Sequence, residues 1–270
     1  MNSGKAAARR GSSTKPWRPQ LASRLTVLLL VIAQLWCQAS AQPPRTGAHS
    51  VSSQLDTEGI VQKLVAMDLE RSEALHAYQV SEVYSLAYRG FLGAGTASMV
   101  VSFNYRSPGT TTLTLESSSG SKLILNKVFK KLLQAERQMI GAEAQRKAAL
   151  NRNNYDFELT GQQQTPSGLA YVLRISPKRK DTFLCRGRIW VDAKDFAVIR
   201  LEGEPAKNPS FWTKTSEIER IYKKAGVFWL PSSNTSTTPV RFGGHADMVI
   251  QYNNYLITSA EPLRASGAER

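Results

Sequence analysis

Cysteine is almost missing from this chain: Cys37 and Cys185 are the two in 270 residues. Histidine is as scarce, with His49, His76 and His245 far apart in the sequence. That spacing offers neither a paired-histidine metal motif nor a cysteine cluster, so a metal centre is not expected. A nucleophile elbow, a phosphate loop ending in G-K-[ST] and a dinucleotide fingerprint are absent as well. The glycines Gly90, Gly93 and Gly95 lie between two strand patterns with no helix pattern after them, and read as a hairpin connection. His245 and Asp247 are two apart on a strand and share a face, but no serine stands in an elbow to complete a triad. The expectation is a protein that is not an enzyme and needs no cofactor.

Long apolar runs are also lacking. The longest is Leu25 to Trp36, twelve residues, where a bilayer-spanning helix takes about 20. It is preceded by Lys5, Arg9, Arg10, Lys15, Arg18 and Arg24 without one acid, and followed by Ala39-Ser40-Ala41. A basic start, a short apolar stretch and a small-x-small site describe a secretory signal peptide over residues 1–41, with export to the periplasm. Six of the 35 basic residues lie in that segment, so 29 remain against 21 acids, a net +8 in place of +14. An exported chain with that modest excess is not expected to bind nucleic acid; the charge serves solubility. Only Cys185 survives cleavage, and it lies in phase with Ile189 and Val191 as a small buried hydrophobe. Without disulfides, stability must come from an apolar core, which about 200 ordered residues can supply.

Residues 42–55 are polar, with Pro43-Pro44 and several serines, and read as a linker. Asp56 or Thr57 can cap a helix whose stripe is Ile60, Val61, Leu64, Val65 and Leu69, running to about Ala77. Strand patterns follow over Tyr78–Tyr88, Ala97–Tyr105 and Leu113–Leu115. A second helix is expected from Lys122 to Leu150, with Leu125, Val128, Phe129, Leu132, Leu133, Met139 and Ile140 on its apolar side and Lys127, Lys130, Lys131 and Arg137 elsewhere. From Tyr155 to Thr258 the chain is strand and turn: alternation in Tyr155–Thr160 and Leu169–Ser176, then two runs, Arg188–Asp192 and Phe196–Leu201, joined by Ala193-Lys194-Asp195. Both runs carry apolar residues on both faces, which places this hairpin centrally with both sides covered. Later strands cover Phe211–Tyr222, Val227–Leu230 and His245–Ile257, with a Ser/Thr-rich loop before the last. That loop contains Asn234-Thr235-Ser236, the form of a glycosylation sequon. Residues 259–270 are a loose tail. About ten sequential strands with two helices argue an α+β fold built on a strongly curved antiparallel sheet.

The hairpin Gly187-Arg188-Ile189-Trp190-Val191-Asp192, Phe196-Ala197-Val198-Ile199-Arg200 and Glu202-Gly203 resembles the LolA-like outer-membrane lipoprotein-sorting family. Pro209-Ser210-Phe211-Trp212, Phe228-Trp229-Leu230-Pro231 and a closing strand near Tyr252–Tyr255 extend the likeness across about Asp56 to Thr258. The resemblance implies an unclosed half-barrel over residues 56–258, two helices covering the concave face, and a cavity holding the acyl chains of lipoproteins or lipid. The side chains expected to line it are Phe103, Leu115, Phe157, Tyr171, Leu173, Ile175, Trp190, Trp212, Trp229, Met248 and Ile250. Val128, Phe129, Leu132 and Leu133 would form the lid helix. Partners would be lipid or lipid-modified protein, with an inner- or outer-membrane protein besides, and the carrier itself a monomer. The alternative is an envelope sensor or interaction domain on the same fold. Leu173, in phase with Tyr171 and Ile175, points inward; a hollow interior would accept a larger ring there and a packed one would not.

Overall fold

The computed structural model describes residues 56–91, 93–107, 110–138, 142–208, 215–240 and 243–263. The expected signal peptide, linker and Trp212 lie outside these residues, as do Met139, Ile140 and most of the tail. Helix α1 covers Thr57–Ala74 and starts where the sequence places it: the Asp56 side chain accepts a hydrogen bond from Gly59 N at 2.8 Å, a standard N-cap. It ends three residues earlier than expected, because the backbone turns straight into strand at Leu75.

Ten strands follow: β1 Leu75–Gly90, β2 Gly93–Arg106, β3 Thr110–Gly120, β4 Tyr155–Thr165, β5 Gly168–Pro177, β6 Cys185–Asp192, β7 Val198–Pro205, β8 Glu217–Ala225, β9 Phe228–Pro239 and β10 Gly244–Ala260. They form one antiparallel sheet in the order β3-β2-β1-β10-β9-β8-β7-β6-β5-β4. The first and last strands of that order do not meet, so the sheet stays open, with edges at β3 and β4. This is the expected α+β architecture, an unclosed and curved antiparallel sheet. Where β6 meets β7, Gly187 stands opposite Gly203. A Cβ on Gly187 would lie 2.0 Å from Glu202 O, and one on Gly203 2.2 Å from Arg186 O, so only glycine lets the two backbones close up there.

The chain between the two edge strands is helical but not continuous. It comprises α2 (Lys122–Ile124), a π-helical turn (Leu125–Phe129), α3 (Lys130–Gln138) and α4 (Ala142–Ala148). The single helix expected over Lys122–Leu150 is therefore divided. The π turn widens the spiral by one residue, and Phe129 and Leu132 still reach the sheet while Lys127, Lys130, Lys131 and Arg137 stay exposed. Among the described residues no helix is long and apolar enough to cross a membrane.

The central hairpin has buried apolar side chains on both faces, as expected, but only the face of Ile189, Val191 and Leu201 lies under a helix, and the hairpin tip is longer than three residues. β6 ends at Asp192 and β7 begins at Val198. Asp192 Oδ1 accepts from Lys194 N (3.0 Å) and Asp195 N (2.7 Å), and Phe196 takes φ 47°, so Phe196 and Ala197 belong to the turn.

Candidate functional site

One cross-strand row describes the helix-covered face. Reading directly opposed residues, it runs Met99–Tyr84–Ile250–Asn234–Arg220–Leu201–Ile189–Leu173–Leu159, across nine of the ten strands. Opposed residues of an antiparallel pair share a face, so all of these side chains point to the same side. At one end of the row, α1 lays Ile60, Val61 and Leu64 onto Leu173, Ile175, Ile189, Val191 and Leu201, with Phe157 and Tyr155 beside them. At the other end, Ile124, Phe129 and Leu132 cover Tyr84, Met99, Val101, Met248 and Ile250. Between the two apolar clusters the face turns polar: Arg220 and Asn234 in the row, with Tyr222, Ser236, Thr238 and Ser216 alongside, all buried. Ser216 Oγ and Thr238 Oγ1 share a hydrogen bond of 2.7 Å.

The expected lining residues divide accordingly. Phe157, Tyr171, Leu173 and Ile175 gather under α1. Met248 and Ile250 gather under the second helical segment, where Phe129 and Leu132 are core and Val128 and Leu133 half-buried against it. Phe103 belongs to a third cluster, with Tyr78, Val80, Phe228 and Leu230. Leu115 stands opposite Val101 on the same face but is 53% exposed, because β3 is the edge of the sheet. Trp190 and Trp229 lie on the opposite face, with Ala170, Val172 and Ile199. Leu173 itself is fully buried within the cluster under α1.

The opposite face is a charged surface around an aromatic patch. Trp190 Nε1 donates to Gln163 Oε1 (2.7 Å), and Arg200 and Arg188 stand 4.9 and 5.3 Å from its ring. Arg188 and Arg200 pair with Glu202, and Arg200 with Glu219, along an open cleft of about 530 Å³. Trp229 Nε1 donates to Asp195 Oδ2 (2.8 Å), and Lys224 Nζ lies 2.6 Å from the same oxygen. Burial works against the Asp195 charge, yet these two donors hold its carboxyl below the usual range. Asp247 accepts from Thr237 Oγ1 on this side through Oδ1 (2.9 Å).

Helix α1 is fastened at both ends. Arg71, 5% exposed, donates to Asp195 O (2.8 Å) and Phe196 O (3.1 Å) at the hairpin tip. Phe196 stacks on Tyr171, with Lys63 above its ring. At the other end Thr57 Oγ1 accepts from Leu159 N, and Arg152 pairs with Glu58. Asp68, on the inward side of α1, is half-buried, and its carboxyl is pushed up to about 6 by burial against the opposing pull of Arg71. The Cys185 thiol is pushed up to about 11, again by burial. Among the described residues no group of His, Cys, Asp and Glu could hold a metal ion.

Solved structures similar to this chain can now be set beside that geometry. A DUF1329 family protein from Desulfovibrio piger matches with 13% identity and TM-score 0.41, over 76% of this chain and 94% of its own. A domain provisionally assigned to outer membrane lipoprotein sorting, from Vibrio parahaemolyticus, matches with 12% identity and TM-score 0.38, over 75% and 92%. A LolA superfamily protein from Nitrosomonas europaea matches with 11% identity and TM-score 0.34, over 78% and 96%. The likeness is one of fold. No family model and no curated protein matches the chain.

The polar stripe is what sequence reasoning missed. Arg220 and Asn234 sit in β8 and β9, and Asn234 falls in the segment read as a Ser/Thr-rich loop. β9 runs through that segment to Pro239. With Asn234 1% exposed, its sequon is closed to glycosylation in the folded protein.

Proposed function

We propose that this protein is a non-enzymatic periplasmic carrier or binder of lipoprotein acyl chains or lipid. The observation that carries the reading is the arrangement on the helix-covered face: two apolar clusters, each closed by its own helical segment, on a sheet that remains open. Leu173, Ile175, Tyr171 and Phe157 under α1, and Met248 and Ile250 under the second segment, form the surface that the chains contact once a helix moves aside. Trp190 and Trp229 stand away from that face and Leu115 is exposed at its β3 edge, so all three are left out of the site.

The energies are compatible with displacement. Ile60, Val61 and Leu64 each gain about 1.5–3 kcal/mol from burial, and the two Arg71 bonds add about 3 kcal/mol, or roughly 8–12 kcal/mol for the helix. A chain of some fifteen methylenes, at about 0.8 kcal/mol for each one buried, gains on the order of 12 kcal/mol. An acyl chain can therefore take the place of α1 against the sheet, and α1 can return when the chain leaves.

Native mass spectrometry of the purified protein tests this. The expected spectrum shows the chain with bound lipid, removed by organic extraction and regained with an acyl-chain probe. A bare chain that takes up no probe would overturn the carrier reading. A stable complex with one membrane protein in place of lipid would move the assignment to an interaction domain on the same fold.

A further inference from the structure

The polar stripe is something an apolar carrier does not require. Arg220 is 3% exposed and Asn234 1%, and they face each other across the β8–β9 ladder. Neither side-chain atom of Asn234 has a hydrogen-bond partner, and neither does Arg220 Nε, while the Tyr222 hydroxyl lies within reach of the Arg220 guanidinium. Tyr222, 8% exposed, is two residues along β8 on the same face. Arg220 forms no ion pair among the described residues. Asp68 reaches the neighbourhood of Tyr222 from α1 without pairing with Arg220, and Glu82, on β1, accepts the Tyr84 hydroxyl at 2.7 Å. A buried cation and a buried amide with unused donors and acceptors are less favourable than apolar residues of the same size, so a role in packing does not account for them.

The geometry points to a head-group site here: Arg220, Asn234 and Tyr222 bind an anionic oxygen group, carboxylate or phosphate, at the end of an acyl-chain ligand. This rests on the carrier reading above and names what the ligand must carry. Arg220 Nε–H, Asn234 Nδ2–H and the Tyr222 hydroxyl supply donors suited to anionic oxygens, and the guanidinium supplies the charge. Asn234 Oδ1 accepts from a hydroxyl or amide next to the anion. The position fits the chain as well as the head, because an apolar cluster lies on either side of the stripe.

Isothermal titration calorimetry with decanoate, decyl phosphate, decanol and inorganic phosphate tests the site. The purified protein is expected to bind decanoate or decyl phosphate about tenfold or more tightly than decanol, since a charge-assisted bond is worth at least that much. The tighter of the two anions identifies the head group. Inorganic phosphate alone should give no measurable heat. Arg220→Met and Asn234→Leu should lose the preference for the anion over decanol. Arg220→Lys, which keeps the charge, should retain part of it and serves if Arg220→Met does not fold. An unchanged preference in the folded variants, or none in the parent protein, would overturn the head-group site and leave the carrier reading standing. Inorganic phosphate binding as tightly as decyl phosphate would overturn it in favour of a free-anion site. Failure of all three decyl compounds to bind would overturn the carrier reading, and the site with it.

Discussion

Asn234 stands directly opposite Arg220 where β8 and β9 pair, and both side chains are buried on the helix-covered face with hydrogen-bonding groups unused. An unsatisfied buried polar group costs about 1–3 kcal/mol. Asn234→Leu is therefore expected to leave the protein as stable as before or to stabilise it by about 1 kcal/mol. Urea denaturation measures this. A loss of several kcal/mol would mean that Asn234 holds the sheet together.

Arg71 joins the end of α1 to the hairpin tip through the carbonyls of Asp195 and Phe196. Arg71→Ala removes two charge-assisted bonds and is expected to cost about 3 kcal/mol. Hydrogen exchange localises the effect: amides of α1 should exchange faster, with β1 and β10 little changed. Uniform acceleration across the sheet would contradict the view that Arg71 fastens only this helix.

The half-buried Asp68 makes stability depend on pH in a defined direction. Its carboxyl is raised in the folded protein from 3.8 to about 6, because burial disfavours its charge. The unfolded chain thus releases this proton first, and the contribution of Asp68 to stability falls as pH rises from about 4 to about 6. Asp68→Asn should flatten that segment of the profile and raise the melting temperature at pH 7.5. A variant with the parent's slope between pH 4 and 6 would show that another group sets it.

Cys185 should be inert. With the thiol near 11, about one molecule in a thousand carries a thiolate at pH 8, so reaction with an aromatic disulfide reagent should await unfolding. Cys185→Ser is expected to cost about 1–3 kcal/mol and Cys185→Ala less, since the hydroxyl is the poorer fit to a half-buried apolar site. Rapid labelling of the native protein would contradict the burial.

Much of this architecture was legible because apolar and polar residues alternate. The hairpin at Arg188–Leu201 shows apolar side chains in both phases, and they are buried on both faces, although a helix lies over only one of them. Leu173 and Ile175 announce the face they occupy. The same contrast fails where one phase is neither apolar nor charged: in Ser232–Pro239, serine, threonine and asparagine occupy both faces, so β9 reads as loop although its inner positions are buried. Arg220 was hidden differently, in phase with Ile218 and Tyr222 but by residue type belonging on a surface. Trp190 and Trp229 show the converse limit. An aromatic residue in a strand covered on both sides has two destinations, and only the register decides between them. The helix beginning at Lys122 was visible from its stripe, but the π turn leaves that stripe intact and gives no sign of itself.

Photo-crosslinking tests the central claim most directly. A fatty acid carrying a diazirine midway along its chain, bound to the purified protein and activated, should attach to the helix-covered face: Leu173 or Ile175 beneath α1, or Met248 or Ile250 beneath the second segment. Peptide mass spectrometry locates the bond. Labels confined to the Trp190 and Trp229 side of the sheet, or scattered without preference over both faces, would contradict an acyl-chain site under the helices.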